Sequence, residues 1–513
     1  MTIPVPSKAW TARSSNRARP TFGRIDALLE QPAAWFGAIT FVAALQATLI
    51  FTHQPWLDEW QALQIALQSP TLGDLLQNLH YEGHPPLWYL ILRGLGTVVP
   101  PYWVLPTASA VIAAVTMGVI LFSSPFSRLQ KLCLVTGELV LFEYLTISRS
   151  LSLGVCLLLI AFASRRSRWS WLAIALLPMC DFLFGVISAV LVLIQWKERR
   201  FYLPGAALWL ICGILAALAV TPAPDAAPAI DLGSPALEAF LWIKRLGLLL
   251  LPFPMTAANV PQWSADVPLG MGLLLGPAFL VFAHLQLRGD RLNQLIFGGF
   301  VVLTLTFSTF VYSLHVRHLS LIALLLILLK WRHAELGERP SAAFDAWLVV
   351  GAACGLAVAG LNLSRPFDTA AIAAREIDRL GLQQKHWMAY PSSRAQGVSA
   401  ITGIEFERAG SGCVQSFVRW DYQRPIAPGD LKKYLSDATQ RYGRFYLLTD
   451  RPLQLPASLV RTLAFIPAGY EGQEYYLHVV GPNLPERQMR MPRCAPVRRL
   501  PLTVDPRFAP HHG

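Results

Sequence analysis

The chain has 513 residues, of which 54% are hydrophobic and 14% charged, with a net charge of +12 and a mean hydropathy of +0.43. That composition excludes a wholly soluble protein, and apolar runs of about 15–22 residues recur, the size needed to cross a hydrocarbon core. A transmembrane barrel is excluded too, since it needs alternating segments of about ten residues. The basic excess is no nucleic-acid signal: it falls in short clusters between apolar runs, as cytoplasmic loops do.

Residues 1–30 are polar and basic (Lys8, Arg13, Arg17, Arg19, Arg24) and are expected to be a poorly ordered cytoplasmic segment. The run Ala33–Phe51 is too long for a signal-peptide core and lacks a cleavage site, so it reads as an uncleaved first membrane helix. Spans are predicted at 33–52, 103–122, 130–147, 150–164, 169–182, 184–196, 202–220, 268–286, 293–312, 315–330 and 344–362. With the N-terminus inside, the clusters Arg128/Lys131, Arg165/Arg166/Arg168, Lys197/Arg199/Arg200, Arg288/Arg291 and Lys330/Arg332 all fall on the cytoplasmic side. Asp58/Glu59 and Asp225/Asp231 fall opposite. The fold class expected is therefore an all-α polytopic membrane bundle of about eleven transmembrane helices plus interfacial helices, followed by a small C-terminal α/β domain outside.

That alternation holds only if Pro85–Val99 does not span. It is short, carries Arg93 and is flanked by Pro85/Pro86 and Pro100/Pro101, so it is expected to be interfacial or re-entrant, as are Glu59–Gln68 and Leu237–Pro252. The membrane domain covers 31–364, with an outer loop at 53–101. From Arg365 the composition becomes that of a soluble domain, 365–481, with a Pro/Arg-rich tail at 482–513. Helices are expected at Thr369–Leu380 and Leu431–Tyr442, and strands at Trp387–Tyr390, Val414–Trp420, Phe445–Leu448 and Tyr475–Val480. Of the seven cysteines, only Cys413 and Cys494 lie in this polar part. If it is extracytoplasmic they can form one disulfide, though spacing alone does not establish the pair.

The outer loop holds the densest polar cluster. Asp58 and Glu59 can be a solvated helix start favoured by the dipole. Their position one helix-length into the chain, between Trp56 and Trp60, favours a general base at the bilayer surface instead. Glu82 and His84 can be a loop ahead of a Pro-initiated helix, or a carboxylate and imidazole for a hydroxyl acceptor or a divalent cation; two scattered ligands do not secure a metal site. Arg149, with Glu143 and Tyr144 one turn away, and Arg317/His318 beside His315 lie at outer ends of spans. Arginines there either snorkel or face a polar cavity, and two of them near a carboxylate pair suit a phosphate-bearing substrate. Asp181 is expected simply to end a helix and Glu138 to pair within the bundle.

The segments Leu57-Asp58-Glu59-Trp60 and Tyr81-Glu82-Gly83-His84-Pro85-Pro86-Leu87-Trp88-Tyr89 resemble the GT-C superfamily of polyprenyl-phosphate-sugar-dependent membrane glycosyltransferases, such as protein O-mannosyltransferases and aminoarabinose transferases. Phe142-Glu143-Tyr144 with Ser148-Arg149-Ser150-Leu151-Ser152-Leu153-Gly154 is similar to the arginine motif at the outer end between two spans of that superfamily. Arg317-His318, Ser416–Asp421 and Glu474–Leu477 resemble a bacterial subgroup of it. The likeness covers about 50–335 best, the DE-to-HPP spacing is short, and the C-terminal domain is not that of the better-known members. The resemblance implies inverting transfer of a sugar from a polyprenyl-phosphate donor to a glycan, lipid or protein acceptor at the outer face of the bacterial inner membrane. In it, Asp58 would be the base, Glu59 and Glu82 would assist it or hold a metal, and Arg149 would meet the donor phosphate, with His84, Glu143, Tyr144, Arg317 and His318 binding substrate. The competing classes are a transporter or flippase and a non-catalytic envelope assembly protein; neither paired broken helices nor inverted halves mark the former.

Overall fold

The computed structural model describes residues 22–226, 233–255, 262–263, 268–338, 340–421, 426–427, 429–487 and 491–497. Most of the basic segment at 1–30, Asp231 and much of the tail at 482–513 lie outside them; Phe22–Leu29, at the end of that first segment, is a helix. The described chain is mostly helical with a small C-terminal sheet domain. Among the described residues, six helices are long and apolar enough to cross a membrane: Pro32–Thr52, Pro101–Ser123, Leu203–Val220, Leu269–Gln286, Arg291–Phe310 and Ala342–Ser364. Proline opens several of them, where a missing N–H leaves nothing unpaired. Their outward faces carry exposed Phe36, Phe41, Leu210, Leu274 and Leu295, apolar surface that suits lipid. The apolar helices Ser150–Ala163, Ser170–Met179 and Phe182–Lys197 are shorter than those six, and Val316–Glu335 is long but carries more charge.

Two ends of this bundle differ chemically. At one, Arg165 pairs with Glu335, and Arg332 reaches Asp290 at 3.1 Å and Glu198 at 3.4 Å. Asp58, Arg149 and Arg317 lie at the other, since Arg149 and Arg165 bracket the Ser150–Ala163 helix and Arg317 and Arg332 bracket Val316–Glu335.

The predicted helix at 130–147 is not continuous. Arg128–Thr136 ends at Gly137, whose extended backbone is followed by a π-helical turn over Leu139–Tyr144. The break is where the Ala342–Ser364 helix crosses: a Cβ on Gly355 would lie 2.1 Å from the Thr136 carbonyl oxygen, so only glycine permits this approach.

The loop at 53–101 forms three short helices, Leu57–Gln68, Leu72–Glu82 and Leu87–Leu95. The middle one was not expected; it is fixed by a Thr71/Asp74 capping box and ends at Gly83 with φ 70°. The last has nine residues, about 14 Å, too short to span. Its Arg93 donates to the carbonyls of Ala66 (3.1 Å) and Ser69 (2.7 Å), satisfying the C-terminal end of Leu57–Gln68. The piece predicted at Leu237–Pro252 is two helices, Pro235–Arg245 and Gly247–Leu250.

The C-terminal sheet has strands β1 (Trp387–Tyr390), β2 (Phe406–Arg408), β3 (Val414–Gln415), β4 (Phe445–Thr449), β5 (Val460–Ile466) and β6 (Tyr475–Val480), in the order β3-β2-β1-β4-β6-β5. β1 runs parallel to β2 and β4, and the other pairs are antiparallel. Alternate residues face two cores: Met388 and Leu447 meet Leu435 of the Leu431–Tyr442 helix, while Trp387, Ala389 and Leu448 join Ile377 of Ala370–Arg379. The expected strand at Val414–Trp420 pairs only over Val414–Gln415, and the chain then leaves the sheet. β2, β5 and the Gln396–Thr402 helix were not anticipated. Cys413 and Cys494 are disulfide-bonded, and Glu486 pairs with Lys385 at 2.7 Å, so the domain extends past its expected end at Gly481.

Candidate functional site

The adjacent acids Asp58 and Glu59 lie in the first turn of Leu57–Gln68 and point different ways, about 100° apart around the helix. Glu59 has no exposed surface: it meets His53 Nε2 at 2.9 Å and accepts from the backbone N–H of Trp56 (3.1 Å) and of Ser148 (2.6 Å). It clasps the end of the first span to the segment leading into Arg149, and it lines neither of the two cavities beside Asp58. Asp58 is 28% exposed and lies 2.9 Å from Arg149 and 3.5 Å from Arg317. Both guanidinium groups sit over the Trp56 ring, 5.5 and 5.4 Å from its centre. Burial pushes the Asp58 carboxyl up, but the two arginines outweigh it and hold it below the ordinary carboxylate range.

Each arginine is placed by its own element. Arg149 is the extended residue that opens Ser150–Ala163. Arg317 lies in the first turn of Val316–Glu335, where the His315 N–H donates to His318 Nδ1 at 3.3 Å. Tyr144 is buried; its hydroxyl contacts Ser320 Oγ and lies 3.4 Å from the Arg317 carbonyl oxygen. Tyr144 therefore anchors the Arg317 turn and, unlike the expectation of a substrate contact, lines neither of the two cavities beside Asp58.

Asp58 stands where two cavities meet. The larger, about 490 Å³, is lined by Trp56, Glu138, Glu143, Trp263, His315 and Glu471 among others; the smaller, about 200 Å³, by Glu82, His84, Tyr89, Arg149, Tyr312 and His318. Leu57, Asp58, Arg317, Ser393 and Trp420 line both. Thus Asp58, Glu82, His84, Arg149, Arg317 and His318 come together, and Glu143 joins from the larger side, where its carboxylate accepts from Trp263 Nε1 at 2.8 Å. In the larger cavity's lining, the buried N–H groups of Arg317 Nε and Trp56 Nε1 have no acceptor among the described residues.

In the smaller cavity burial raises the Glu82 carboxyl to about 7, against the opposing hydrogen bond from Gln61. His84 donates from Nδ1 to the Glu82 carbonyl at 3.0 Å. Burial and the charge of Arg149 push its imidazole down, so it is neutral with Nε2 as acceptor. Among the described residues no group of three or more His, Cys, Asp or Glu side chains could hold a metal ion, so Glu82 and His84 do not form a metal centre by themselves. Asp181 starts a helix, accepting from the Leu183 N–H at 2.9 Å.

Part of the site was missed. Ser393, Arg394, Trp420 and Glu471 come from the C-terminal domain. After β3 the chain lies along Leu57–Gln68: Gln61 Oε1 accepts from Val418 N (2.9 Å), its Nε2 donates to Val418 O (2.7 Å) and to Glu82 Oε1 (2.5 Å), and Ser416 Oγ donates to Gln68 (2.5 Å). Arg419 stacks 3.9 Å over Tyr81. One signal was available: Gln61, Gln64 and Gln68 recur at helical spacing and are all buried, which demands a polar partner.

The chain matches no family model, no curated protein and no solved structure. Its chemistry is therefore read from the geometry and from the motifs.

Proposed function

We propose that the protein is an inverting glycosyltransferase that moves a sugar from a polyprenyl-phosphate donor to a glycan, lipid or protein hydroxyl at the outer face of a bacterial inner membrane. The observation that carries the reading is the pairing of one carboxylate, Asp58, with two arginines at the junction of two cavities, where buried donors on Arg317 and Trp56 have no acceptor among the described residues. Two guanidinium groups over-matching one carboxylate in a desolvated site favour an incoming anion. A phosphate at the junction of the two cavities would take their hydrogen bonds.

The chemistry follows from that exchange. When Arg149 and Arg317 turn to the phosphate, Asp58 loses the charges that depress it and becomes a stronger base. The acceptor hydroxyl, entering from the smaller cavity beside Glu82 and His84, gives its proton to Asp58 as its oxygen bonds the anomeric carbon. The bond from that carbon to the phosphate oxygen breaks, and polyprenyl phosphate leaves with the electron pair, stabilised by the arginines. One displacement inverts the anomeric configuration. Glu59 and Tyr144 act by positioning the machinery.

The reading is tested with the purified full chain in nanodiscs, following polyprenyl phosphate release and decaprenyl phosphate binding. Asp58→Asn should abolish release while membrane insertion is unchanged. Arg149→Ala and Arg317→Ala should each weaken decaprenyl phosphate binding about tenfold or more. Wild-type transfer by Asp58→Asn, or undiminished binding in both arginine variants, would sink it.

A further inference from the structure

The larger cavity carries more acidic groups than sugar-phosphate transfer uses. Asp58, Glu138, Glu143 and Glu471 line it, against two guanidinium groups, Arg317 and Arg394, and the imidazole of His315. Arg317 pairs with one of these carboxylates, Asp58, at 3.5 Å, and Arg394 reaches Asp450 at 3.4 Å while its charge also acts on Glu471, so Glu138 has no cation of its own among the described residues. Glu143 is held by Trp263 Nε1 and Glu471 by the Gln473 N–H at 2.8 Å, neither of them a cation.

Glu138 is the informative member. It is 6% exposed, lines the cavity, and has neither a hydrogen bond nor an ion pair among the described residues. The expectation that it pairs within the bundle is thus not met. Its position is imposed, because it follows the Gly137 break that the Gly355 crossing creates. A carboxyl group buried this deeply without a partner is costly, and acids inside membrane helices mark polar ligands. Leu139, Leu248 and Val316 supply apolar walls beside it.

We propose that the larger cavity binds an amine-bearing amphiphile, whose protonated amine is taken by Glu138, with Glu143 and Glu471 beside it. A cation there balances the carboxylates, and the apolar walls take the rest of the ligand. The site goes beyond the transfer reading, since it requires neither a phosphate nor Asp58 chemistry. Two sources share this chemistry, an amino sugar and an ethanolamine headgroup.

The experiment measures binding of phosphate-free and lipid probes to the full chain in nanodiscs. Octyl 2-amino-2-deoxyglucoside is compared with octyl glucoside, and lysophosphatidylethanolamine with lysophosphatidylglycerol. The wild type should prefer the amine in one of these pairs by about tenfold, and the pair that responds names the source. Glu138→Gln should bring that preference close to one, and Glu471→Gln should lower it. No amine preference in either pair by the wild type overturns the proposal whether or not the variants fold, and so does a preference that survives in a folded Glu138→Gln. The octyl glycosides carry no phosphate, so failure of decaprenyl phosphate binding would overturn the transfer reading and leave this result standing.

Discussion

At the scale of single residues, neighbours in sequence part ways in function. Asp58 and Glu59 read as one motif, yet one is exposed between two arginines and the other is sealed against His53 and the Ser148 N–H. Helical rotation separates them, and a sequence shows the pair without showing which side faces the cavity. The same holds for Glu143 and Tyr144. Glu82 was legible as an acid ahead of His-Pro-Pro, whereas its titration depends on burial that only the packed helices provide. Its carboxyl is raised to about 7, so it is protonated below that pH and charged above it. If the charged form orients the acceptor hydroxyl, transfer rises as pH increases through about 7 and then levels. Glu82→Gln should remove that limb from the pH–rate profile of kcat/KM; a profile with the limb intact assigns it to another group.

At the scale of elements, helix positions were largely legible because apolar length is a direct physical requirement of a bilayer. Breaks inside a helix were not. Residues 130–147 are apolar enough to read as one span despite Lys131, Glu138 and Glu143, and the interruption at Gly137 depends on a partner more than 200 residues away, Gly355. Hydropathy carries no record of such a contact. Gly355→Ala would place a methyl 2.1 Å from the Thr136 carbonyl and 2.6 Å from the Glu138 nitrogen. We expect it to cost about 1–3 kcal/mol by overpacking, seen as a lower Tm of the solubilised protein. Gly360→Ala, on the same helix with nothing within 4 Å, is the control and should leave Tm unchanged. Equal Tm values for both variants would contradict the tight crossing.

The assembly of the whole molecule was the least legible. The apolar residues of Val414–Trp420 suggested a strand, but beyond Gln415 the run docks on the Leu57–Gln68 helix instead of joining the sheet. An apolar run records that it is covered and leaves open what covers it. The sheet domain thereby becomes a wall of both cavities, so it must lie on the same side of the membrane as Asp58.

That requirement gives the topology a direct test. The Cys413–Cys494 bond fits an oxidising compartment, and the basic ends around Arg165, Arg332 and Arg200 fit the opposite, cytoplasmic side. The remaining cysteines are buried, so new ones report cleanly. Lys433 lies exposed on the sheet domain and Leu336 lies exposed just after the Val316–Glu335 helix, with Ala342–Ser364 between them. In intact cells, an impermeant maleimide should label Lys433→Cys and should reach Leu336→Cys only after the membrane is permeabilised. Labelling of both from outside would mean that Ala342–Ser364 does not cross. The reverse pattern would put Asp58 and the cavities in the cytoplasm, and a donor presented at the outer face could not reach them.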